Sequence, residues 1–169
     1  MKRAMNPNTF KAPWGKTLCW MSAFSLVVVA IALVPAFLVK RPEWLRLAIL
    51  LPLLLLPGTA LVIIRTYTIE PNVLAIQRLL WTTRLPLSGL QSAEALPNAM
   101  RSNLRLFGNG GMFSITGLYR NRALGNYRTF VTDLTKTVVL RFPKRTIVVS
   151  PENPAQFVAD ISRFAFRIS

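Results

Sequence analysis

The stretch "TVVLRFPKRTIVVSPENPAQFVADISRFAFRI", residues 137–168, contains two short β-rich runs and then one amphipathic segment. The runs "TVVLRF" and "TIVVS" are rich in β-branched residues and are separated by Pro143-Lys144-Arg145, which predicts two strands joined by a turn. Ser150-Pro151 and Asn153-Pro154 each place a capping residue before a proline, the usual start of a helix. Apolar side chains then recur at helical spacing, at Phe157, Val158, Ile161, Phe164, Ala165 and Ile168. We expect this apolar stripe to close the open mouth of a small barrel.

Five further β-rich runs precede this stretch: "RTYTI", "VLAIQRLLW", "LQSAEAL", "MFSITGLY" and "YRTFVTD". Together the runs predict about seven strands spaced at roughly ten residues, which favours a closed or nearly closed antiparallel sheet, because closure removes exposed strand edges. For residues 65–169 the sequence therefore predicts a mainly-β barrel of about seven antiparallel strands closed by a C-terminal α-helix.

Two uncharged runs lie ahead of this domain. Residues 17–39 are 23 consecutive uncharged residues, long enough at about 1.5 Å per residue to cross a hydrocarbon core of ~30 Å. Residues 47–64 are a second uncharged run, and only "KRPEWLR" separates the two. The pattern predicts a transmembrane α-helical hairpin over residues 17–64, with spans at about 17–39 and 45–64, after a basic tail of residues 1–16. A cleaved signal peptide for the first run and a re-entrant or interfacial helix for the second remain open.

The distribution of basic residues predicts the orientation of such a hairpin. The chain has 21 Lys and Arg residues, six Asp and Glu residues and no histidine, for a net charge of +15. Seven basic residues flank the outer ends of the hairpin and three lie in its loop, which favours both termini in the cytoplasm. The sequence thus predicts a multi-pass membrane protein with both termini in the cytoplasm. The flanking residues are Lys2, Arg3, Lys11, Lys16, Arg65, Arg78 and Arg84, against Lys40, Arg41 and Arg46 in the loop.

The glycine cluster in "RLFGNGGMFSITGLYRN", residues 105–121, has two interpretations. A phosphate-binding loop needs glycines that lead into a helix with a lysine and Ser/Thr at fixed offsets, and this cluster leads into a strand-like run instead. We therefore interpret Gly108, Gly110 and Gly111 as residues of a structural turn or bulge, because glycine adopts positive φ at little cost. Contact between the backbone N–H groups of this turn and an anion remains the alternative.

Five arginines lie around these turns: Arg101, Arg105, Arg120, Arg122 and Arg128. If the strands pair as a meander, their side chains could converge on one rim and contact anionic lipid headgroups or a partner protein. A solvated basic face is the alternative. Aromatic residues are interleaved with the arginines, as in single-strand nucleic-acid binders, but aromatics in strand-like runs usually face the core, which argues against nucleic acid.

The chain offers little material for catalysis. It has no histidine, its one cysteine, Cys19, lies in the first apolar run, and the predicted domain has five acidic residues spread along its length. Neither a metal cluster nor a nucleophile–base pair is expected from this composition. We therefore expect no enzyme activity, no catalytic or metal site and no cofactor.

Three parts of the sequence carry a family resemblance: the glycine cluster in "FGNGGMFSITGLYRN", the "Y-x-x-F-V-T-D" strand and the "S-P-x-x-P-x-x-F" helix entry. Over about residues 65–165 the chain resembles the bacterial PH-like (pleckstrin-homology-like) domains of small membrane proteins with an N-terminal helical hairpin. The resemblance implies a multi-pass protein of a bacterial cytoplasmic (inner) membrane that acts as a membrane-anchored binding or scaffolding module at the cytoplasmic membrane surface. The alternative is an accessory or self-assembling subunit of a transporter or envelope-maintenance complex. The expected partners are the lipid bilayer, anionic headgroups, another membrane protein or a second copy of the chain.

Overall fold

The computed structural model describes residues 8–38, 61–110 and 113–166. These residues form ten strands, two α-helices and one short 3-10 turn at Leu134–Lys136. In chain order the elements are β1 Thr9–Lys11, α1 Lys16–Leu38, β2 Ile64–Glu70, β3 Val73–Arg78, β4 Thr82–Pro86, β5 Ser92–Ala95, β6 Leu104–Gly110, β7 Ile115–Asn121, β8 Gly125–Val131, β9 Val138–Phe142, β10 Arg145–Val149 and α2 Pro154–Phe166.

The strands form two sheets rather than one closed barrel. The first sheet has the order β1-β2-β3-β4 and the second has the order β5-β9-β10-β8-β7-β6. Strand β10 pairs in parallel with β8, with Val148 opposite Thr129. The prediction of a single barrel of about seven antiparallel strands is therefore wrong. Its strand spacing came from local patterns, and such patterns give no information about which strand lies beside which; here β10 lies between β9 and β8.

The two sheets and α2 enclose the main core. Phe130 and Leu140 from the second sheet pack in one cluster with Tyr67 and Leu74 from the first. In α2, Phe157 and Ile161 are fully buried in the same cluster, and Val158 and Phe164 pack against it, which confirms the predicted C-terminal helix. Ile168 of the predicted apolar stripe lies outside the described residues.

The two predicted helix caps have different roles. The Gln156 backbone N–H donates to Oδ1 of Asn153 at 3.3 Å, so Asn153 caps α2 as predicted. Ser150 is buried before the helix, and its Oγ accepts from the backbone N–H groups of Thr132 at 2.8 Å and Asp133 at 3.2 Å. The Ser150 hydroxyl therefore holds the end of β8 against the end of β10.

The residues ahead of α1 contribute a strand to the first sheet. Strand β1 pairs antiparallel with β2, with Phe10 opposite Tyr67. The buried Phe10 ring meets the Phe157 ring edge to face, with centroids 5.2 Å apart. The predicted basic tail of residues 1–16 does not include this strand, because a run of three residues is too short to show a strand pattern. Residues 1–7 of that tail lie outside the described residues.

The start of α1 packs against the β-domain. The Gly15 N–H donates to the Thr132 carbonyl at 2.9 Å, Leu18 is buried, and Ser22 Oγ accepts from the Phe113 N–H at 3.0 Å. One side of the N-terminal half of α1 is therefore occupied by contacts with the β-domain.

Of the helices in the described parts of the chain, none combines the length and apolar character needed to cross a membrane. The predictions of a transmembrane hairpin and of a multi-pass inner-membrane protein are therefore wrong. The two predicted spans depend on the length of the uncharged runs. Run length contains no information about tertiary contacts, such as the packing of the start of α1 on the domain. Residues 45–60, most of the second predicted span, lie outside the described residues.

Candidate functional site

Two arginines from different sheets flank one aromatic ring. Arg78 ends β3 in the first sheet, and Arg128 lies in β8 of the second, two residues before Phe130. Their guanidinium carbons lie 5.5 Å and 5.8 Å from the centre of the Phe130 ring. Both distances are within the range of cation–π attraction, and the positive charge of Arg128 also acts on Arg78.

Arg78 is the more constrained of the two. Its guanidinium also lies 5.5 Å from the centre of the Trp81 ring, and Nη1 donates to the Val62 carbonyl at 3.4 Å. Its Nε is buried and has no hydrogen-bond partner within the described part of the chain. An unpartnered buried donor is unfavourable, so the site would gain from an acceptor that approaches it.

Burial is the main cause that lowers the pKa of Arg78. The positive charge of Arg128 acts in the same direction, whereas Tyr67 opposes it. The guanidinium stays charged near neutral pH even so, because arginine does not lose its proton in proteins. The lowered pKa therefore describes a cation that has lost part of its hydration and lies close to another cation.

The two arginines line a cavity of about 590 Å³ together with Phe130 and residues of β6 and β7. Gly108 and Gly117 face each other across the β6–β7 pair and also line this cavity. A Cβ on Gly108 would lie 2.3 Å from the Thr116 carbonyl oxygen, and a Cβ on Gly117 would lie 2.1 Å from the Phe107 carbonyl oxygen. The close approach of the two backbones therefore requires glycine at both positions.

An apolar row extends from Arg128 across the sheet. Leu118 in β7 is directly opposite Arg128 in β8, and Phe107 in β6 is directly opposite Leu118. Phe107 is 80% exposed and Leu118 is 42% exposed, and both line the cavity. The cavity thus has a cationic end and an exposed apolar wall.

The structure separates the five arginines that the sequence singled out. Strands β6, β7 and β8 do pair as a meander. Arg128 lies in the cavity, and Arg101, Arg120 and Arg122 are exposed near the end of the sheet where β7 turns into β8. Arg105 is opposite Tyr119 and therefore on the other face of the sheet from Leu118, because neighbouring residues of a strand point to opposite faces.

The glycine cluster belongs to a strand. Gly108 and Gly110 lie in β6, next to a register irregularity between Arg105 and Phe107, and Gly111 lies outside the described residues. Gly110 lies under the Arg105 side chain, because a Cβ there would come within 2.1 Å of Arg105 Nη1.

Arg78 was not among the predicted site residues. The one local signal was an arginine inside the apolar run "VLAIQRLLW", next to a tryptophan. Its neighbours Phe130 and Arg128 are about fifty residues further along the chain, so their contact depends on how the two sheets pack.

The chain matches the protein family described as Bacterial PH domain over residues 65–164. This range covers more than half of the chain and runs from β2 into α2. The chain belongs to the bacterial PH domain family. No curated protein and no solved structure matches it.

This bacterial PH domain carries most of the candidate site, since Arg78, Arg128 and the apolar wall lie within the matched residues, and Val62, whose carbonyl accepts from Arg78, lies just ahead of them. PH domains are in general binding modules for lipids or proteins and are not catalytic. Membership thus confirms the resemblance seen in the sequence as far as the domain is concerned. It gives no support to the membrane-protein part of that resemblance.

Proposed function

We propose that this PH domain binds a partner that carries negative charge, through the end of the sheet formed by β6, β7 and β8. The observation that carries the proposal is the charge pattern of residues 95–132. This stretch contains five arginines and no Asp, Glu or Lys. Three of these arginines, Arg101, Arg120 and Arg122, are exposed near one end of the sheet. Clustered positive charge attracts anions and speeds their encounter, and each basic residue near an anionic lipid surface contributes about 1 kcal/mol.

The experiment uses the full chain, because β1 and the start of α1 are integral to the fold. Cosedimentation is measured with vesicles of neutral phosphatidylcholine and with vesicles that also contain phosphatidylglycerol, at low and at high salt. We expect preferential binding to the anionic vesicles at low salt and loss of that preference at high salt, because salt screens exposed charges.

A matched pair of variants locates the surface. Arg120→Glu/Arg122→Glu should reduce binding to the anionic vesicles strongly. The control Arg65→Glu/Arg163→Glu changes the net charge equally at exposed positions on β2 and α2, and it should bind more tightly than the first variant. Equal binding of the wild-type chain to neutral and anionic vesicles at low salt would refute the proposal.

The exposed side of α1 favours self-assembly as a second function. Trp20, Phe24 and Ile31 are 77%, 71% and 66% exposed, although the opposite side of the helix is packed on the domain. A contiguous exposed apolar surface of this kind usually marks an interface. A second copy could cover it symmetrically, since the same surface would then serve both partners.

Sedimentation velocity tests this second function. The wild-type chain should be at least dimeric at micromolar concentration, and Trp20→Ser/Phe24→Ser should be monomeric. A wild-type chain that is monomeric throughout this range would exclude self-assembly as its function.

A further inference from the structure

We propose that the cavity between Arg78 and Arg128 binds a phosphate monoester joined to an apolar body, the chemistry of a lipid phosphate such as phosphatidic acid. The inference rests on the proposed function and deepens it, because it names the chemical class of the anion and the place where it binds.

The charge of the cavity favours a dianion. The two guanidinium groups lie on the same ring, 5.5 Å and 5.8 Å from its centre, and the positive charge of one acts on the other. None of the described residues that line the cavity is acidic. A phosphate monoester carries about −1.5 to −2 charges near neutral pH, enough to neutralise both arginines, whereas a phosphate diester carries about −1.

The donors of the cavity also suit phosphate. A guanidinium presents several N–H groups in one plane and forms paired, charge-assisted hydrogen bonds with phosphate oxygens. The buried Nε of Arg78 has no acceptor among the described residues. A phosphate oxygen at this end of the cavity would provide one.

The rest of the cavity suits an apolar group. Its volume of about 590 Å³ exceeds what one phosphate fills, and it lies within the ~300–1,000 Å³ typical of small-molecule sites. The exposed side chains of Phe107 and Leu118 continue from Arg128 along one face of the sheet. An acyl chain or a ring attached to the phosphate would cover them.

The test measures dissociation constants of the full chain by isothermal titration calorimetry. The probes are phenyl phosphate, inorganic phosphate and diphenyl phosphate, and a second arm uses vesicles with phosphatidic acid or phosphatidylglycerol. We expect phenyl phosphate to bind at least about tenfold more tightly than either other soluble probe, because only it combines the dianion with an apolar body. We expect vesicles with phosphatidic acid to bind more tightly than vesicles with an equal charge of phosphatidylglycerol.

Variants separate the two ends of the cavity. Arg128→Gln and Arg78→Gln should each weaken phenyl phosphate binding by about tenfold or more. Phe107→Ser, at a position that is mostly exposed and tolerant of change, should weaken phenyl phosphate but leave inorganic phosphate unchanged. Arg163→Gln, at an exposed position on α2 outside the cavity lining, is the matched control and should bind within about twofold of wild type.

The possible negative results distinguish a failure of this inference from a failure of the proposed function. Two results would overturn this inference and leave the proposed function standing. One is a preference for anionic vesicles with no preference for phosphatidic acid, and the other is unchanged binding of phenyl phosphate by Arg78→Gln and Arg128→Gln. Tighter binding of a phosphotyrosine peptide than of short-chain phosphatidic acid would overturn the lipid assignment. Binding of no anionic vesicle at all would refute both.

Discussion

At the residue scale, Tyr67 links three parts of the chain that are far apart in sequence. Its hydroxyl donates to the Phe130 carbonyl at 2.7 Å, and the Ser150 N–H donates to the Tyr67 oxygen at 3.4 Å. Burial is the main cause that raises the pKa of Tyr67 to about 12. The folded domain therefore accommodates the neutral phenol and disfavours the phenolate.

The raised pKa of Tyr67 makes stability depend on alkaline pH. Because the folded-state pKa exceeds the ordinary value near 10, the stabilisation is complete below pH ~10 and is lost as pH rises toward 12. Tyr67→Phe should lower the free energy of unfolding by about 1–2 kcal/mol at neutral pH, because the Phe130 carbonyl and the Ser150 N–H lose a partner.

Urea denaturation between pH 7.5 and 11.5 checks both statements. The free energy of unfolding should fall less steeply with rising pH in the variant than in wild type. It should still fall in the variant, because burial also raises the pKa of Tyr127 to about 12. The same alkaline slope in both proteins would contradict the role given to Tyr67.

At the element scale, β1 and the start of α1 integrate the N-terminal residues into the domain. Gly15 shows how tight this docking is, because a Cβ there would lie 2.9 Å from Asp133 Oδ1 and 3.0 Å from the Asp133 Cα. Gly15→Ala should therefore destabilise the domain by about 1–3 kcal/mol through overpacking. Thr17→Ala, at an exposed position two residues later, should have little effect in the same thermal unfolding measurement.

Phe10→Ala tests whether β1 belongs to the core. Phe10 is buried against Phe157, so its truncation should cost about 3–5 kcal/mol of unfolding free energy. Lys11→Ala, the exposed neighbour in the same strand, is the control and should change stability by less than about 0.5 kcal/mol. Equal, small effects of the two substitutions in chemical denaturation would show that β1 contributes nothing to the core.

The sequence predicted elements best where the local pattern was strong. Each of the seven predicted strand runs overlaps an observed strand, and α2 begins after the predicted cap Asn153. The three missed strands lack such a pattern. Strand β1 has only three residues, β4 reads "TTRLP", and β6 contains glycines for which the sequence predicts a turn or bulge. These strands depend on partners elsewhere in the chain, which a local pattern does not contain.

At the scale of the whole molecule, the candidate site exists only because two sheets meet. Arg128 was predicted as a contact residue from its surroundings in sequence, but its approach to Arg78 depends on the packing of β3 against β8. The same limit applies to the parallel pairing of β8 with β10. The order of strands and the contacts between sheets are set by tertiary packing, and the spacing of residues along one chain carries little of that information.

The pH dependence of binding offers a whole-molecule prediction. The chain has no histidine, so few of its own groups titrate between pH 5.5 and 7.5. A phosphate monoester loses about one charge as pH falls through ~6, and its affinity for the two arginines should fall with it. Phenyl sulfate, which keeps one charge across this range, is the control and should bind with constant affinity.

The most direct test is calorimetric titration of phenyl phosphate into the full chain, with wild type, Arg128→Gln and Arg163→Gln compared at one ionic strength. We expect saturable binding to wild type at one site, weakened about tenfold or more in Arg128→Gln and nearly unchanged in Arg163→Gln. Equal affinities of all three proteins, or no binding to wild type, would contradict the assignment of this cavity as an anion site.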